Sequence, residues 1–460
     1  MDLEQRAKRQ SFRVIISETI MFLTVAITVV VLALIVSGYW LNADFKVERQ
    51  GMLQINSIPT GASISVDGDT PWFQRTNTSK ILSSGEHEII LTKDGYDTWS
   101  KTVSISEGLL YRLNYPHLFL KEREKEAVYD VTATTFATAS PNRKLILLAN
   151  STTSWKLLKL DSDTIKADSI DISKLFSSVS LASGATTGLF NGEILSAEWD
   201  NSNEHILFKV NANGSIEWVI LDIRNLSKSV NLTRDFATNF EKIKIFANSA
   251  STLLVVRNGN LHKIDVDARQ ISAILVSGIQ SFDFYDSEII YVSNGELNLM
   301  RIGNEPVVLS EVEPEAKALL GKFYDEKYIY VLEKNVLSIY QINSFELVEE
   351  IEISFSPENI KVGYGGEFIV MNTGVSFATI DMESMQVGEW SADSSHFGWI
   401  NRYMLYSTLD GELFVYDFDG LNRRSLASNV SNHFPVVITD DKWLYYFSDG
   451  QLMREWLIAR

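Results

Sequence analysis

Eight short hairpins, spread over the last 335 or so residues, constrain what this chain can fold into more than any other feature. They read "KLILLANSTTSWKLLKL", "HILFKVNANGSIEWVIL", "TLLVVRNGNLHKIDV", "EIIYVSNGELNLMRI", "YIYVLEKNVLSIYQI", "EFIVMNTGVSFATID", "YMLYSTLDGELFVYDFD" and "WLYYFSDGQLMREWL". Their starts fall near residues 144, 205, 252, 288, 328, 367, 403 and 443, mostly 35 to 40 residues apart with two longer intervals early. Each joins two apolar, β-branched runs, most of them through an Asn- or Asp-centred turn, the pattern of paired strands. Seven are followed by a further strand-like run: "DSIDIS", "KSVNLTR", "QISAILV", "PVVLSEV", "LVEEIEI", "QVGEW" and "RSLAS".

One four-stranded sheet cannot cover both its faces. Stacking each sheet on the next buries both, and radial closure protects the edges. Repeats of about 40 residues with four short strands each therefore predict a β-propeller. The count predicts eight blades; seven is the alternative if Phe136 to Leu160 forms no blade of its own. The eighth hairpin runs into Arg460 and lacks an outer strand. The unclaimed alternating stretch "EAVYDVTA", Glu126 to Ala133, is expected to fill that place by pairing with Leu452 to Ile458.

Upstream, Thr19 to Ala43 holds 25 residues without a charge, most of them apolar. About 20 helical residues cross a ~30 Å hydrocarbon core, so a transmembrane helix is expected there, with Tyr39 and Trp40 at its interfacial end. Arg6, Lys8, Arg9 and Arg13 precede it, which directs the N-terminus to the cytoplasm and the rest of the chain to the far side. The run exceeds a signal peptide's apolar region, so the anchor is expected to stay uncleaved. A net charge of −18 argues against nucleic-acid partners. No cysteine is present, which excludes disulfides and thiolate chemistry.

Past the apolar run, "MLQINSI", "ASISVDG", "EHEIILTKDGY" and "WSKTVSIS" alternate as strands of a small β-sandwich or half-barrel. Pro59 and Gly61 are expected to turn the chain sharply and pair the first two of these strands; Asp67 and Gly68 form a tight hairpin turn. The stretch Ser57-Ile58-Pro59-Thr60-Gly61-Ala62, with Ile64, Val66, Asp67-Gly68 and Thr70-Pro71, resembles the PEGA domain. So does the later half, with Leu82, Gly85, His87, Ile89, Leu91 and Gly95-Tyr96. The namesake Glu is Thr60 here. The resemblance implies an exported or surface protein of a prokaryote, and a spacer or interaction module without enzymatic activity. In the C-terminal part, "VYDFDGLNRRSLA" resembles the TolB-like propeller repeat. The Trp-Asp dipeptide of WD repeats is missing, so the WD-like resemblance is one of architecture.

The expected organisation is thus a cytoplasmic tail over 1–18, a transmembrane helix over 19–43, a PEGA-like domain over 44–118, a charged linker over 119–125 and a propeller over 126–460. No G-x-S-x-G, H-E-x-x-H or P-loop pattern occurs. The six histidines lack ligand spacing. The acidic pairs Asp161/Asp163, Asp265/Asp267 and Asp417/Asp419 read as turn residues rather than a calcium loop. No catalytic, cofactor or metal residue is therefore assigned. The Ser/Gly/Thr-rich stretch Ser173 to Glu193 is a candidate partner-contact loop through Phe176, Leu189 and Phe190. The expected function is a membrane-anchored, extracytoplasmic binding or scaffold protein of a prokaryotic envelope, with a protein, peptide or glycan as ligand. The alternatives are a propeller-based hydrolase or lyase acting on envelope glycan or peptide, and a partner-dependent envelope sensor.

Overall fold

A computed structural model describes residues 18–33, 39–41, 47–70, 74–160, 164–176, 188–245, 250–363, 365–391 and 396–459. The chain divides into two compact units, Met1–Glu122 and Arg123–Arg460.

In the first unit, residues 18–33 are helical and exposed. At 1.5 Å per residue this is roughly 24 Å, and among the described residues no helix is long and apolar enough to cross a membrane. The helix expected over 19–43 is corrected at its end: Tyr39–Leu41 is a strand, β1, paired with Val47–Arg49. An aromatic and apolar triplet suits a strand that finds a partner. The expected tail lies almost wholly outside the described residues.

The strands that follow are β2 (Val47–Ile55), β3 (Ser63–Val66), β4 (Thr78–Ser83), β5 (Gly85–Thr92), β6 (Trp99–Ile105) and β7 (Leu110–Leu113). They form two sheets, one of β1, β2, β4 and β7 and one of β3, β5 and β6. Alternate residues of both are fully buried, among them Leu53, Ile55, Ile89, Leu91, Trp99 and Val103. The Pro-x-Gly-Ala stretch therefore does a different job from the one expected. It does not pair β2 with β3; it carries the chain out of one sheet into the other, because β2 pairs with β4 and β7 while β3 pairs with β5. Gly61 has φ +78°, which an L side chain rarely adopts. Asp67 and Gly68 have φ 52° and 82°, and Val66 and Asp69 exchange both backbone hydrogen bonds at 2.9 Å. That is a two-residue hairpin turn with both central φ positive.

Residues 119–122, the start of the expected linker, belong to the first unit. The backbone of Asp97 donates to Phe119 and that of Lys121 to Gly95, and Phe119 is buried. The boundary falls after Glu122.

The second unit is built, among the described residues, of eight four-stranded antiparallel sheets in chain order. Their first strands are Thr134–Ala139, Glu193–Trp199, Lys242–Ile245, Ile279–Tyr285, Lys317–Phe323, Asn359–Val362, Phe397–Trp399 and Val437–Thr439. The hairpins turn where the sequence predicts: Asn213-Gly214, Asn258-Gly259, Asn294-Gly295, Asp410-Gly411 and Asp449-Gly450 all have positive φ at both residues. Side chains alternate between neighbours. Ile206 and Phe208 pack on sheet one, whereas Leu207 packs on sheet three. Ile289 and Tyr291 pack on sheet three, whereas Ile290 and Val292 pack on sheet five. Sheet eight then packs on sheet one, joining Tyr445, Phe447 and Leu452 to Ile146, Leu148 and Leu158. The strand expected over Glu126–Ala133 is β8 (Lys125–Asp130), and it completes sheet eight against Gln451–Glu455. This is a β-propeller-like fold.

Candidate functional site

The first strands of the eight sheets line two adjoining cavities that share Lys361. The larger, about 1000 Å³, lies among sheets two to six. The smaller, about 600 Å³, lies among sheets one, six, seven and eight. The two cavities together are the channel, a concave site of the kind that ligands commonly occupy.

The channel wall is stitched across sheet boundaries. Asp283 receives the Lys244 ammonium of sheet three on one oxygen and, on the other, the Leu320 N–H of sheet five at 3.1 Å. Ser281 Oγ donates to Ala316 O at 3.0 Å, Trp199 Nε1 to Thr138 Oγ1 at 3.1 Å, and Thr439 Oγ1 to Arg143 O at 3.1 Å. These bonds hold the first strands in register around the cavity.

Charges in the larger cavity are mixed, with Lys242, Lys244, Lys317 and Lys361 against Glu198, Asp283, Glu315 and Glu358. Lys242 is an exposed residue of this lining. Burial first, and then the neighbouring Lys244, push its ammonium below the usual lysine range, while Asp283 and Glu198 oppose the shift. Its ammonium lies 5.0 Å from the centre of the Phe282 ring. Among the described residues, the smaller cavity carries no carboxylate in its lining. His396 and His433 meet there edge to face, ring centres 5.4 Å apart. Such a channel offers cations, ring faces and amides to a bound group.

One trio in the first unit has the residue types of a hydrolytic triad. His87 Nδ1 is 2.6 Å from Asp67 Oδ2, and Ser83 Oγ is 3.5 Å from His87 Nε2. However, Nε2 is 2.8 Å from the Ser83 carbonyl oxygen, which only an N–H can satisfy. A ring nitrogen that donates there cannot take a proton from the hydroxyl. The trio ties β5 to the β3–β5 connection instead.

The sequence-expected contact residues are placed differently from the expectation. Phe176 is 3% exposed and Phe190 6%, and both rings pack on Trp155, with centres 5.8 and 5.2 Å away. Only Leu189, 37% exposed, faces solvent. Residues 177–187 of that stretch lie outside the described residues. Of the acidic pairs, Asp161/Asp163 also lies outside them. Asp265 and Asp419 accept backbone N–H bonds from Ala268 and Leu421, as turn residues do. Among the described residues no group of three or more His, Asp or Glu is arranged to hold a metal ion. Of the motif residues, Ala62 and Tyr96 are buried, and Gly85 and Gly95 have φ +129° and +81°. The channel residues were not found from sequence: they are ordinary lysines and acids scattered over five sheets, from Glu198 to Lys361.

Residues 50–117 match the PEGA domain. No curated protein matches the sequence. Among solved structures, the computationally designed Ika8 protein is 11% identical, with a TM-score of 0.42, covering 72% of this chain and 98% of its own. PorZ, a surface component of the type-IX secretion system of Porphyromonas gingivalis, is 14% identical, with a TM-score of 0.40, covering 73% of this chain and 53% of its own. Kluyveromyces lactis Hsv2 is 9% identical, with a TM-score of 0.43, covering 66% of this chain and 99% of its own.

Proposed function

We propose that this chain is a membrane-anchored, extracytoplasmic binding or scaffold protein of a prokaryotic envelope, in which an eight-bladed propeller presents its axial channel and rim to a protein, peptide or glycan. The observation that carries the anchor is the helix over residues 18–33. Its large apolar side chains, from Ile20 to Leu32, are 46–77% exposed, on every side of the helix. Thr24 and Thr28 turn their hydroxyls inward, each donating at 2.8 Å to the carbonyl four residues back. A helix apolar all round suits lipid, and lipid demands that polar groups find partners within the helix. The part of the uncharged run that precedes β1, Thr19 to Gly38, is 20 residues long, enough for a ~30 Å core. The basic residues before it favour a cytoplasmic N-terminus.

The blade count rests on the eight sheets and the packing of the last on the first. Binding rather than catalysis is favoured by the channel's mixed lining and by the engaged Nε2 of His87. Protease added to intact spheroplasts tests the reading. The β-sandwich of the first unit and the whole second unit are expected to be removed, leaving a membrane-bound N-terminal fragment. Full protection until lysis overturns the orientation, and recovery of the chain in the soluble fraction overturns the anchor.

A further inference from the structure

Met52, Ile81 and Leu110 stand opposite one another on three neighbouring strands. Met52 pairs with Ile81 across β2 and β4, and with Leu110 across β2 and β7. They are 41%, 48% and 39% exposed, and Leu109, whose carbonyl accepts from Met52 N–H, is 64% exposed. Successive strand residues face opposite sides. The adjacent Leu53 is fully buried, so the row lies on the outer face of the sandwich. The rows on either side are Gln50–Ser83 and Gln54–Ser79–Arg112. Neither carries a carboxylate, in a chain whose net charge is −18.

The strand that bears Met52 is also the one joined to the anchor. Tyr39, the first residue of β1, pairs with Arg49. Met52 is three residues further along β2, roughly 10 Å at strand rise. That is the depth of the headgroup region next to a membrane exit. The four side chains expose on the order of 400 Å² together, about half of what one partner buries in a stable protein interface. A tethered contact with lipid needs far less, because the tether has already brought the surfaces together.

We infer that this outer face lies on the bilayer surface, with Met52, Ile81, Leu109 and Leu110 entering the interfacial layer and Arg112 beside the lipid phosphates. The inference rests on the anchor proposed above. The sandwich would then rest flat on the membrane rather than standing off as a stalk.

The absence of native cysteine makes single-site labelling clean. Full-length Val29→Cys, Ile81→Cys, Leu110→Cys and Ser104→Cys proteins would each carry an environment-sensitive fluorophore, in vesicles of phosphatidylcholine and phosphatidylglycerol with and without nitroxide lipid. Ser104 is an exposed residue of β6 in the other sheet. Nitroxide lipid is expected to quench the labels at 29, 81 and 110 several-fold more than the label at 104. If 29 is quenched while 81 and 110 behave like 104, the anchor stands and the surface contact is overturned. If 81 and 110 are shielded from aqueous iodide yet unquenched by nitroxide lipid, a protein covers the face and the inference fails. If 29 is unquenched, the anchor fails and the surface contact falls with it.

Discussion

Arg123 Nε lies 3.1 Å from Glu455 Oε2, across 332 positions of sequence, with the Arg123 side chain 14% exposed and that of Glu455 6%. Arg123 also donates to the Leu426 carbonyl at 2.5 Å, and Tyr446 OH donates to the other Glu455 oxygen at 2.6 Å. The first residue of the second unit is thus fastened to its last sheet. Removing one partner of such a pair strands the other charge in a poor solvent. Arg123→Ala is expected to cost the second unit about 3–5 kcal/mol in urea unfolding, and Glu455→Gln less, since the amide still accepts from Tyr446. A change under about 0.5 kcal/mol, as at an ordinary surface site, would show that the pair is idle.

Removing β8 should loosen two sheets at once. Val128, Tyr129 and Val131 pack in one cluster with Ile146 and Leu148 of sheet one and Tyr445 and Phe447 of sheet eight. Without the strand, Gln451–Trp456 becomes an open edge, prone to pairing with other chains. A chain lacking residues 123–131 is expected to lose hydrogen-exchange protection in both Leu145–Asn150 and Trp443–Trp456 and to aggregate. Loss confined to Trp443–Trp456 would mean that closure does not couple the two sheets.

Phe190→Ala and Phe176→Ala should act on stability, not on partner binding. Both rings fill the space between sheets one and two against Trp155, and their own centres are 4.9 Å apart. Large-to-small changes at such sites cost about 3–5 kcal/mol. Thermal unfolding would show it. A stable Phe190→Ala protein would return that residue to the surface role expected from sequence.

What sequence could and could not reveal follows from this contrast. The hairpins were legible because Asn-Gly and Asp-Gly pairs impose a local conformation, and β8 because an unpaired edge demands a partner. Phe176 and Phe190 were misread because they sit in a Ser- and Gly-rich stretch, and polarity of the neighbours says nothing about a Trp155 brought in by the fold. In the first unit, β4 and β7 were missed: "TSKILS" buries only Leu82 outright, and "LYRL" only Leu113. With those strands unseen, β2 and β3 looked like partners. The channel is less legible still, since Lys242 and Lys361 come to line one cavity only through the fold.

Gly61→Val tests the crossover between the sheets. With φ +78° and only Lys93 Nζ, at 3.6 Å, near an added Cβ, the penalty is backbone strain, about 1–3 kcal/mol. Around it, Thr76 Oγ1 accepts from Ala62 N–H at 3.0 Å and lies 2.7 Å from Ser57 Oγ, so Thr76→Val should cost a similar amount. Hydrogen exchange in β3 and β5 should rise in both variants while the second unit keeps its protection. Equal loosening of both units would contradict the division at Glu122.

The His87–Asp67 contact should give the first unit a pH optimum on the acid side of neutral. Burial alone would lower the His87 pKa, but the Asp67 carboxylate and the Ser83 carbonyl each accept from the ring, and the net effect raises it above 6.5. The bond from His87, then the Glu88 N–H, hold Asp67 below 3.8. The stabilisation from His87 is therefore complete below pH 6.5 and fades as pH climbs through its raised folded value. That from Asp67 is complete above pH 3.8 and fades as pH falls through its lowered one. Protection of β5 against exchange, corrected for the intrinsic pH dependence, should be greatest between these limits and decline from pH 6.5 towards pH 8.5. His87→Leu should flatten that decline without touching the acid limb set by the other carboxylates. An unchanged slope in His87→Leu would assign the alkaline loss to a different group.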